Sequence, residues 1–379
     1  MALTPLYFST TAAGAEDGTT WENRAALFSA GNWSTLISGF DFTSNGLLCY
    51  IGPGNYTCSQ ALTSAVTGTP DPSVSNPLIL HGCDSGGVAL TPPDPDWTSD
   101  QPAWSAATLP DLQTTSNISI VDLSNCHVRL LKFSAASGSN KVLIGSSTTT
   151  ATWCHSIQAT ANTSAGACGA YAANCVLQCS GSSYTAVISG SAGAHNCKVI
   201  GNSAASSGNR QGINTNGSNQ VLDRCTVYGN PGGGIVFSSS SASFNGHVIN
   251  SVIANNTGVG ILFPSTAAQT GWSKVIGCMI TGNSTYGIDA QSQCRVLIAG
   301  NRLRDNTTAN FNGTGNWLTT ETNYVTDDSD ANEYVDPANA TAANCDFRIK
   351  STATIANLGY GVSQQAAAAT GGGSYAFIS

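Results

Sequence analysis

The scarcest feature of this 379-residue chain is charge. Asp, Glu, Lys and Arg together make up 9 % of it, with 13 basic residues against 21 acidic ones and a net charge of −8. The basic residues are scattered singly, so the chain has none of the Lys/Arg clusters that grip a nucleic-acid backbone. No apolar run approaches the length of a membrane span. The opening Met1-Ala2-Leu3-Thr4-Pro5 lacks the basic and apolar regions of a signal peptide, which points to synthesis and assembly in a reducing host cytoplasm. Scarce charge does not mean disorder. Hydrophobic residues make up 41 % of the chain and the mean hydropathy is −0.01, whereas compositional disorder needs few apolar residues and high net charge.

Glycine is plentiful, at 41 residues, beside much Ser, Thr, Ala and Asn, and there are 13 cysteines. An odd cysteine count in a long chain without a signal is a poor disulfide framework. Cys175 and Cys179 stand four apart with no second tight pair to complete a structural zinc site, so neither a metal nor another cofactor is expected.

The positions of the cysteines reveal a repeat. Five hexapeptides align: Cys197-Lys-Val-Ile-Gly-Asn202, Cys225-Thr-Val-Tyr-Gly-Asn230, Ser251-Val-Ile-Ala-Asn-Asn256, Cys278-Met-Ile-Thr-Gly-Asn283 and Asn301-Arg-Leu-Arg-Asp-Asn306. They begin 28, 26, 27 and 23 positions apart. Apolar pairs precede four of them and Gly-apolar segments follow three, so each period holds about three short strands separated by Gly/Asn turns. A unit this short cannot bury an apolar face alone, and stacking its copies does so. The expected fold is all-β, a right-handed parallel β-helix with neighbouring coils about 4.8 Å apart. Third-position residues would form an aliphatic column. The sixth-position Asn202, Asn230, Asn256, Asn283 and Asn306 would form an amide ladder at positive φ.

One column is expected to contain Cys126, Cys154, Cys175, Cys197, Cys225, Ser251, Cys278 and Asn301. Parallel stacking sets Cβ atoms about one strand spacing apart, wider than the roughly 3.8 Å a disulfide prefers, so free buried thiols are expected.

Residues 1–46 read as an N-terminal cap with a short amphipathic helix from Thr20 to Phe28, residues 47–316 as the β-helix, and 317–379 as a C-terminal cap with a low-complexity tail. Two side loops are expected, at 61–77 and at the proline-rich 91–116, where Trp97 and Trp104 are candidates for partner contact, as is Phe377 at the tail tip. The segment 321–336 holds Glu321, Asp327, Asp328, Asp330, Glu333 and Asp336. It begins like a calcium loop but has Glu333 in place of the required glycine, and reads as a solvated acidic loop.

Tyr7-Phe8-Ser9, Asp17-Gly18-Thr19-Thr20-Trp21-Glu22-Asn23, the turn Gly52-Pro53-Gly54-Asn55-Tyr56-Thr57 and the coil hexapeptides together resemble right-handed parallel β-helix proteins of the pectate-lyase type. Val335-Asp336-Pro337 with Asp346-Phe347-Arg348-Ile349-Lys350 resembles the ending of many phage and bacterial members. The resemblance implies fold more than function, because the fold hosts lyases, hydrolases, adhesins and virion proteins. Enzymes of the family would bring paired carboxylates or acidic metal ligands. Between residues 123 and 288 the chain has one carboxylate, Asp223. Arg348-Ile349-Lys350 superficially matches a polygalacturonase motif, but its paired-Asp and Gly-His-Gly companions are missing. His81, His127, His155, His195 and His247 read as solvated wall residues without a convergent carboxylate, His127 and His155 on equivalent walls.

The sequence is therefore expected to encode a non-enzymatic structural protein of a virion surface, a capsid decoration or spike protein of a tailed phage. Family habit implies a homotrimer, contacting a capsid or tail protein of the same particle, with no nucleic acid or membrane partner. Two alternatives stand beside it. One is a receptor-binding or polysaccharide-cleaving tailspike, with a carbohydrate ligand and an acidic pair drawn across chains from Asp223, Asp289 and Asp305. The other is a bacterial surface adhesin module.

Overall fold

A computed structural model of the chain describes residues 2–26, 40–59, 61–63, 72–92, 109–114, 120–122, 124–135, 149–158, 171–179, 186–190, 193–201, 210–215, 217, 219–239, 241–263, 268–313, 316–319, 334–336 and 346–349. The described residues form strands and turns only. Three parallel sheets, here called A, B and C, have 13, 10 and 6 strands respectively, and the first strand of C is Ala186–Gly190. Each full coil contributes one strand to each sheet, as in Gln220–Asp223 of sheet A, Thr226–Tyr228 of sheet B and Gly233–Phe237 of sheet C.

Alternation along each strand sends every second side chain inward. The third-position residues Val199, Val227, Ile253, Ile280 and Leu303 are all buried in one core, and the first four hexapeptides pair in register through sheet B. The aromatic rings of Phe237 and Phe263 stack one coil apart, with centroids 4.8 Å apart.

The corners carry the polar columns. Between sheets A and B the chain turns through one residue at positive φ and then one inward residue. Asn174, Asn196, Arg224, Asn250, Gly277 and Gly300 take the positive φ. The inward residues are Cys175, Cys197, Cys225, Ser251, Cys278 and Asn301, and each performs one task. The Cys278 thiol donates to the Ile276 carbonyl at 3.3 Å, and the Ser251 hydroxyl to that of Ile249 at 2.8 Å. Asn301 Nδ2 donates to the Val275 carbonyl at 2.8 Å, while its Oδ1 accepts the Cys278 backbone N–H at 2.9 Å. Ser251 Oγ accepts the Cys225 N–H at 3.0 Å in the same way. A small side chain with a donor and an acceptor suffices here, so Cys, Ser and Asn interchange.

Cys126 does not stand in this column. It pairs with Leu78 inside sheet A, and the column below Cys154 is continued by Leu131, because Lys132 pairs with His155. A spacing of 28 residues between Cys126 and Cys154 matched the period only because the intervening loop is long. The same shift puts His127 on sheet A and His155 on sheet B, not on equivalent walls.

At the corner between sheets B and C the asparagines form the second column. Asn230 Nδ2 donates to Asn256 Oδ1 (3.0 Å), Asn256 to Asn283 (2.9 Å) and Asn283 to Asn306 (2.8 Å). Each Oδ1 also accepts the backbone N–H of the asparagine one coil before, at 3.1–3.2 Å. Asn202 lies outside the described residues. Positive φ falls one position earlier than expected, on Gly229, Asn255, Gly282 and Asp305. The preceding residue makes the left-handed turn, which leaves the ladder asparagine free to point inward.

The N-terminus departs from its expected form. Leu3–Ser9 pairs in parallel with Gly46–Ile51 of sheet A, so coiling begins at residue 3. In place of a helix from Thr20, Asp17 ties down the Thr19 N–H and hydroxyl at 2.9 and 2.7 Å. Gly18 adopts a φ of +72°, and the chain returns as Ala25–Ala26 beside Phe8 and Ser9. The remainder of the expected helix, with Leu27 and Phe28, lies outside the described residues. Trp21 packs instead against Gly52 and Gly87, where an added Cβ would approach the indole to 2.6 and 2.8 Å. In the expected side loop 91–116, Asp111–Thr114 is a sheet B strand between Asn55–Thr57 and Lys132–Ala135. Pro110 is tolerated just ahead of that strand because only its carbonyl is needed, accepting the Lys132 N–H at 2.9 Å. Trp97, Trp104 and Phe377 lie outside the described residues. The last sheet A strand is Asn316–Thr319, and Tyr334–Asp336 pairs with Asp346–Ile349 as an antiparallel hairpin.

Two outcomes follow from the columns. Asn256→Ala removes one amide that serves both neighbours and strands buried partners, costing about 3 kcal/mol in denaturant unfolding, whereas Cys225→Ser changes stability by less than about 1 kcal/mol. Eleven described thiols are free and buried, and burial pushes the Cys278 thiol up to about 12. Thiol reagents should therefore label these eleven only as the protein unfolds, read by mass spectrometry before and after denaturant.

Candidate functional site: the outer wall of sheet A

The outward positions of sheet A form two parallel rows that cross the coils. One row runs Tyr50, His81, Arg129, Thr152, Ala173, His195, Asp223, Ile249 and Ile276. Within the other row, Val221, His247 and Lys274 stand on successive coils, with Tyr171 on the far side of Gly193. The first row carries a small polar cluster. His195 Nδ1 lies 3.0 Å from Asp223 Oδ2, and Arg224 Nε lies 4.0 Å from the same oxygen. His195 is 40 % exposed and Asp223 26 %, so the pair faces solvent across the wall.

A carboxylate on Nδ1 fixes the imidazole tautomer and turns Nε2 outward. Asp223 Oδ1 and His247 Nδ1 are buried atoms with no hydrogen-bond partner among the described residues. Buried polar atoms are nearly always satisfied, so two unsatisfied ones beside the exposed dyad set this part of the wall apart.

Tyr171 supplies an aromatic surface next to the dyad and is 42 % exposed. Its ring lies over Gly193, where an added Cβ would meet it at 3.3 Å. The glycine is what lets the ring lie across the strand between its own coil and that of Val221. Burial raises the Tyr171 hydroxyl above its ordinary value, with Asp223 adding to the effect. Toward the N-terminal end of the wall, His127 Nδ1 meets the Thr150 hydroxyl, and His81 Nε2 lies 2.9 Å from the Leu90 carbonyl. Tyr7 and Tyr50 stack there with centroids 5.1 Å apart.

The carboxylates considered at the outset do not converge within one chain. Asp223 belongs to sheet A, while Asp289 is an outward residue of sheet C, 8 % exposed, accepting from Asn312 at 2.9 Å. Asp305 sits at the B–C corner with its carboxylate 2.8 Å from Arg304. The histidines are not all without a carboxylate, since Asp223 meets His195. The repeat itself carried the signal: His195 stands two residues before Cys197 and Asp223 two before Cys225. Among the described residues no group of three or more His, Cys, Asp or Glu could hold a metal.

With the coils and this wall defined, comparison with known proteins becomes informative. The family described as "right handed beta helix region" matches residues 116–303. This chain is a right-handed parallel β-helix protein. Three solved structures are similar to it at low identity. A rhamnogalacturonan lyase is 10 % identical, with a TM-score of 0.49 and coverage of 86 % of each chain. The A-module of a mannuronan C-5 epimerase of Azotobacter vinelandii is 14 % identical, with a TM-score of 0.41, over 73 % of this chain and 72 % of that one. A pectate lyase is 11 % identical, with a TM-score of 0.41, over 89 % and 84 %. At these identities the likeness concerns fold alone. No curated protein matches the sequence.

The wall histidines give the β-helix a pH dependence. Burial lowers the pKa of His81, His127 and His247 below 6.5. The unfolded chain then binds more protons than the folded one, so stability holds above that value and falls as pH drops through it. Unfolding midpoints should decline between about pH 7 and about pH 5, and His247→Gln should flatten the decline. An unchanged slope in that variant would remove His247 from the account.

Proposed function

We propose that this protein is a saccharide-binding β-helix that holds an extended glycan along the outer wall of sheet A. The observation that carries the reading is the exposed Tyr171 ring beside the His195–Asp223 dyad and its unsatisfied polar atoms. An aromatic face for the apolar side of a pyranose, with donors and acceptors at its rim, suits a hydroxyl-rich ligand. Coil spacing is close to the length of one sugar unit, so successive coils offer successive contacts: Thr150 and Thr152 on one side of the cluster, His247 and Lys274 on the other. Arg129, Arg224 and Lys274 place positive charge on the wall of an otherwise acidic chain, which favours acidic glycans.

Any reaction on this wall would start from proton transfer by His195, with Asp223 holding its Nδ1, and not from hydrolysis by two flanking carboxylates. This reading fits a receptor-binding tailspike or a surface adhesin. The separation of Asp223, Asp289 and Asp305 onto different faces favours a second reading, a non-enzymatic structural protein of a virion surface.

An array of neutral and acidic glycans probed with purified protein tests the first reading. Retention of an acidic glycan is expected, weakened about tenfold by Tyr171→Ala, which corresponds to the worth of a stacking contact. His195→Ala would abolish any release of reducing or unsaturated ends while largely sparing retention. Failure to retain any glycan, or retention indifferent to Tyr171, would leave the structural reading standing.

A further inference from the structure

The corner between sheets A and B repeats one backbone conformation, and most coils fill it with a residue suited to it. In chain order the residues at positive φ are Leu130, Trp153, Asn174, Asn196, Arg224, Asn250, Gly277 and Gly300, with φ between +49° and +65°. Glycine and asparagine visit this region readily, whereas a larger side chain costs about tenfold in the folding equilibrium. Leu130, Trp153 and Arg224 depart from the rule. Leu130 is 2 % exposed, so burial offsets its strain. Trp153 is only half-buried, and the Arg224 side chain is 49 % exposed. Arg224 gains little from its neighbour in return. Its Nε stands 4.0 Å from Asp223 Oδ2, an oxygen that His195 already meets at 3.0 Å, and an open pair of that length stabilises weakly. Backbone strain that burial does not offset collects at ligand clamps and similar working surfaces.

The two open exceptions bracket the His195–Asp223 dyad. Thr152, Ala173, His195 and Asp223 pair in register on successive coils. Trp153 and Arg224 each follow one residue later, so they stand at opposite ends of that row. Three coil spacings separate them, roughly 14 Å. Between them the corner is closed, since Asn196 is 3 % exposed and donates its amide to Asn174 Oδ1. We propose that Trp153 and Arg224 are the two end contacts of the ligand on this wall. The indole stacks on one pyranose ring, and the guanidinium grips an anionic substituent about three sugar units further along. This footprint rests on the saccharide reading and gives it a length and a direction. A neutral glycan engages the indole end alone, an acidic glycan of four units or more engages both ends, and a shorter one reaches only one of them.

Trp153→Asn and Arg224→Asn give each corner the residue that neighbouring coils already carry. Both variants should unfold at higher denaturant concentration than the parent, with the folding equilibrium constant raised about fivefold. Retention by the purified full-length protein is then measured with neutral and acidic glycans, carboxylated or sulfated, of two to six units. Trp153→Asn should weaken retention of both kinds about tenfold. Arg224→Asn should weaken retention of acidic glycans alone, also about tenfold, and flatten its dependence on salt. With four units or more the two losses should add, and with two units the double variant should lose no more than the worse single one. Lower stability in Trp153→Asn would make Trp153 a packing residue and overturn the proposal, as would raised stability with retention unchanged. Retention that depends on Tyr171 yet ignores both corner residues sinks the footprint alone, whereas a parent protein that retains no glycan sinks the saccharide reading with it.

Discussion

In the described C-terminal coils the A–B corner takes two residues and the B–C corner four to six, and both turn backbone N–H groups into the interior. Those donors have no water to meet, and a corner has no ladder to pair them. Leaving one unpaired costs as much as a whole hydrogen bond gains. At six described corner positions the solution is a small inward side chain from the next coil that accepts the N–H. Asn256 does this at the B–C corner and Ser251 at the A–B corner. The three walls, their register and the placing of every outward side chain depend on that exchange, since it sets where each strand starts.

This explains how the two corners tolerate such different residues. At the A–B corner a thiol or a hydroxyl reaches the carbonyl two residues before it, and the longer Asn301 amide reaches the Val275 carbonyl one coil before. At the B–C corner one side chain must span to the next coil through both its donor and its acceptor, and only an amide does so while repeating itself. Cysteine abundance in this chain is thus a packing choice. The described thiols are buried and unbridged, and burial pushes that of Cys278 up to about 12.

The periodic part of the fold was legible in the sequence because the hexapeptides repeat both an apolar residue and a corner residue. The parts that were not legible failed for identifiable reasons. The run from Thr20 to Phe28 has helical spacing, but Gly18 and the Asp17–Thr19 turn bend it back onto Phe8. Cys126 matched the period by number, although its strand register placed it beside Leu78. The positive φ was assigned to the ladder asparagine when it belongs to the residue before, because sequence shows that a corner exists without showing which of its two residues makes the turn. The His195–Asp223 pair was the costlier omission. In a solenoid, spatial neighbours are one period apart in the chain, and a search for carboxylates nearby in sequence cannot see them. Measured from the corner cysteine, the two positions are the same, and the pair is visible at once.

The two walls differ by position in the same period. Sheets A and B share the coil, the corners and the strand spacing, so backbone geometry cannot distinguish them. What differs is the chemistry two and four residues before the corner cysteine, against one and three residues after it. Before it stand Tyr171, His195, Val221, Asp223, His247 and Lys274, most of them polar and all at least partly open to water. After it stand Lys198, Ile200, Tyr228, Val252 and Met279, closed to it. A parallel β-helix repeats its outward positions as strictly as its inward ones, so each wall can be given one character throughout. Here the wall of sheet A stays open to water where His195 meets Asp223, while the outward residues of sheet B in the later coils are closed to it.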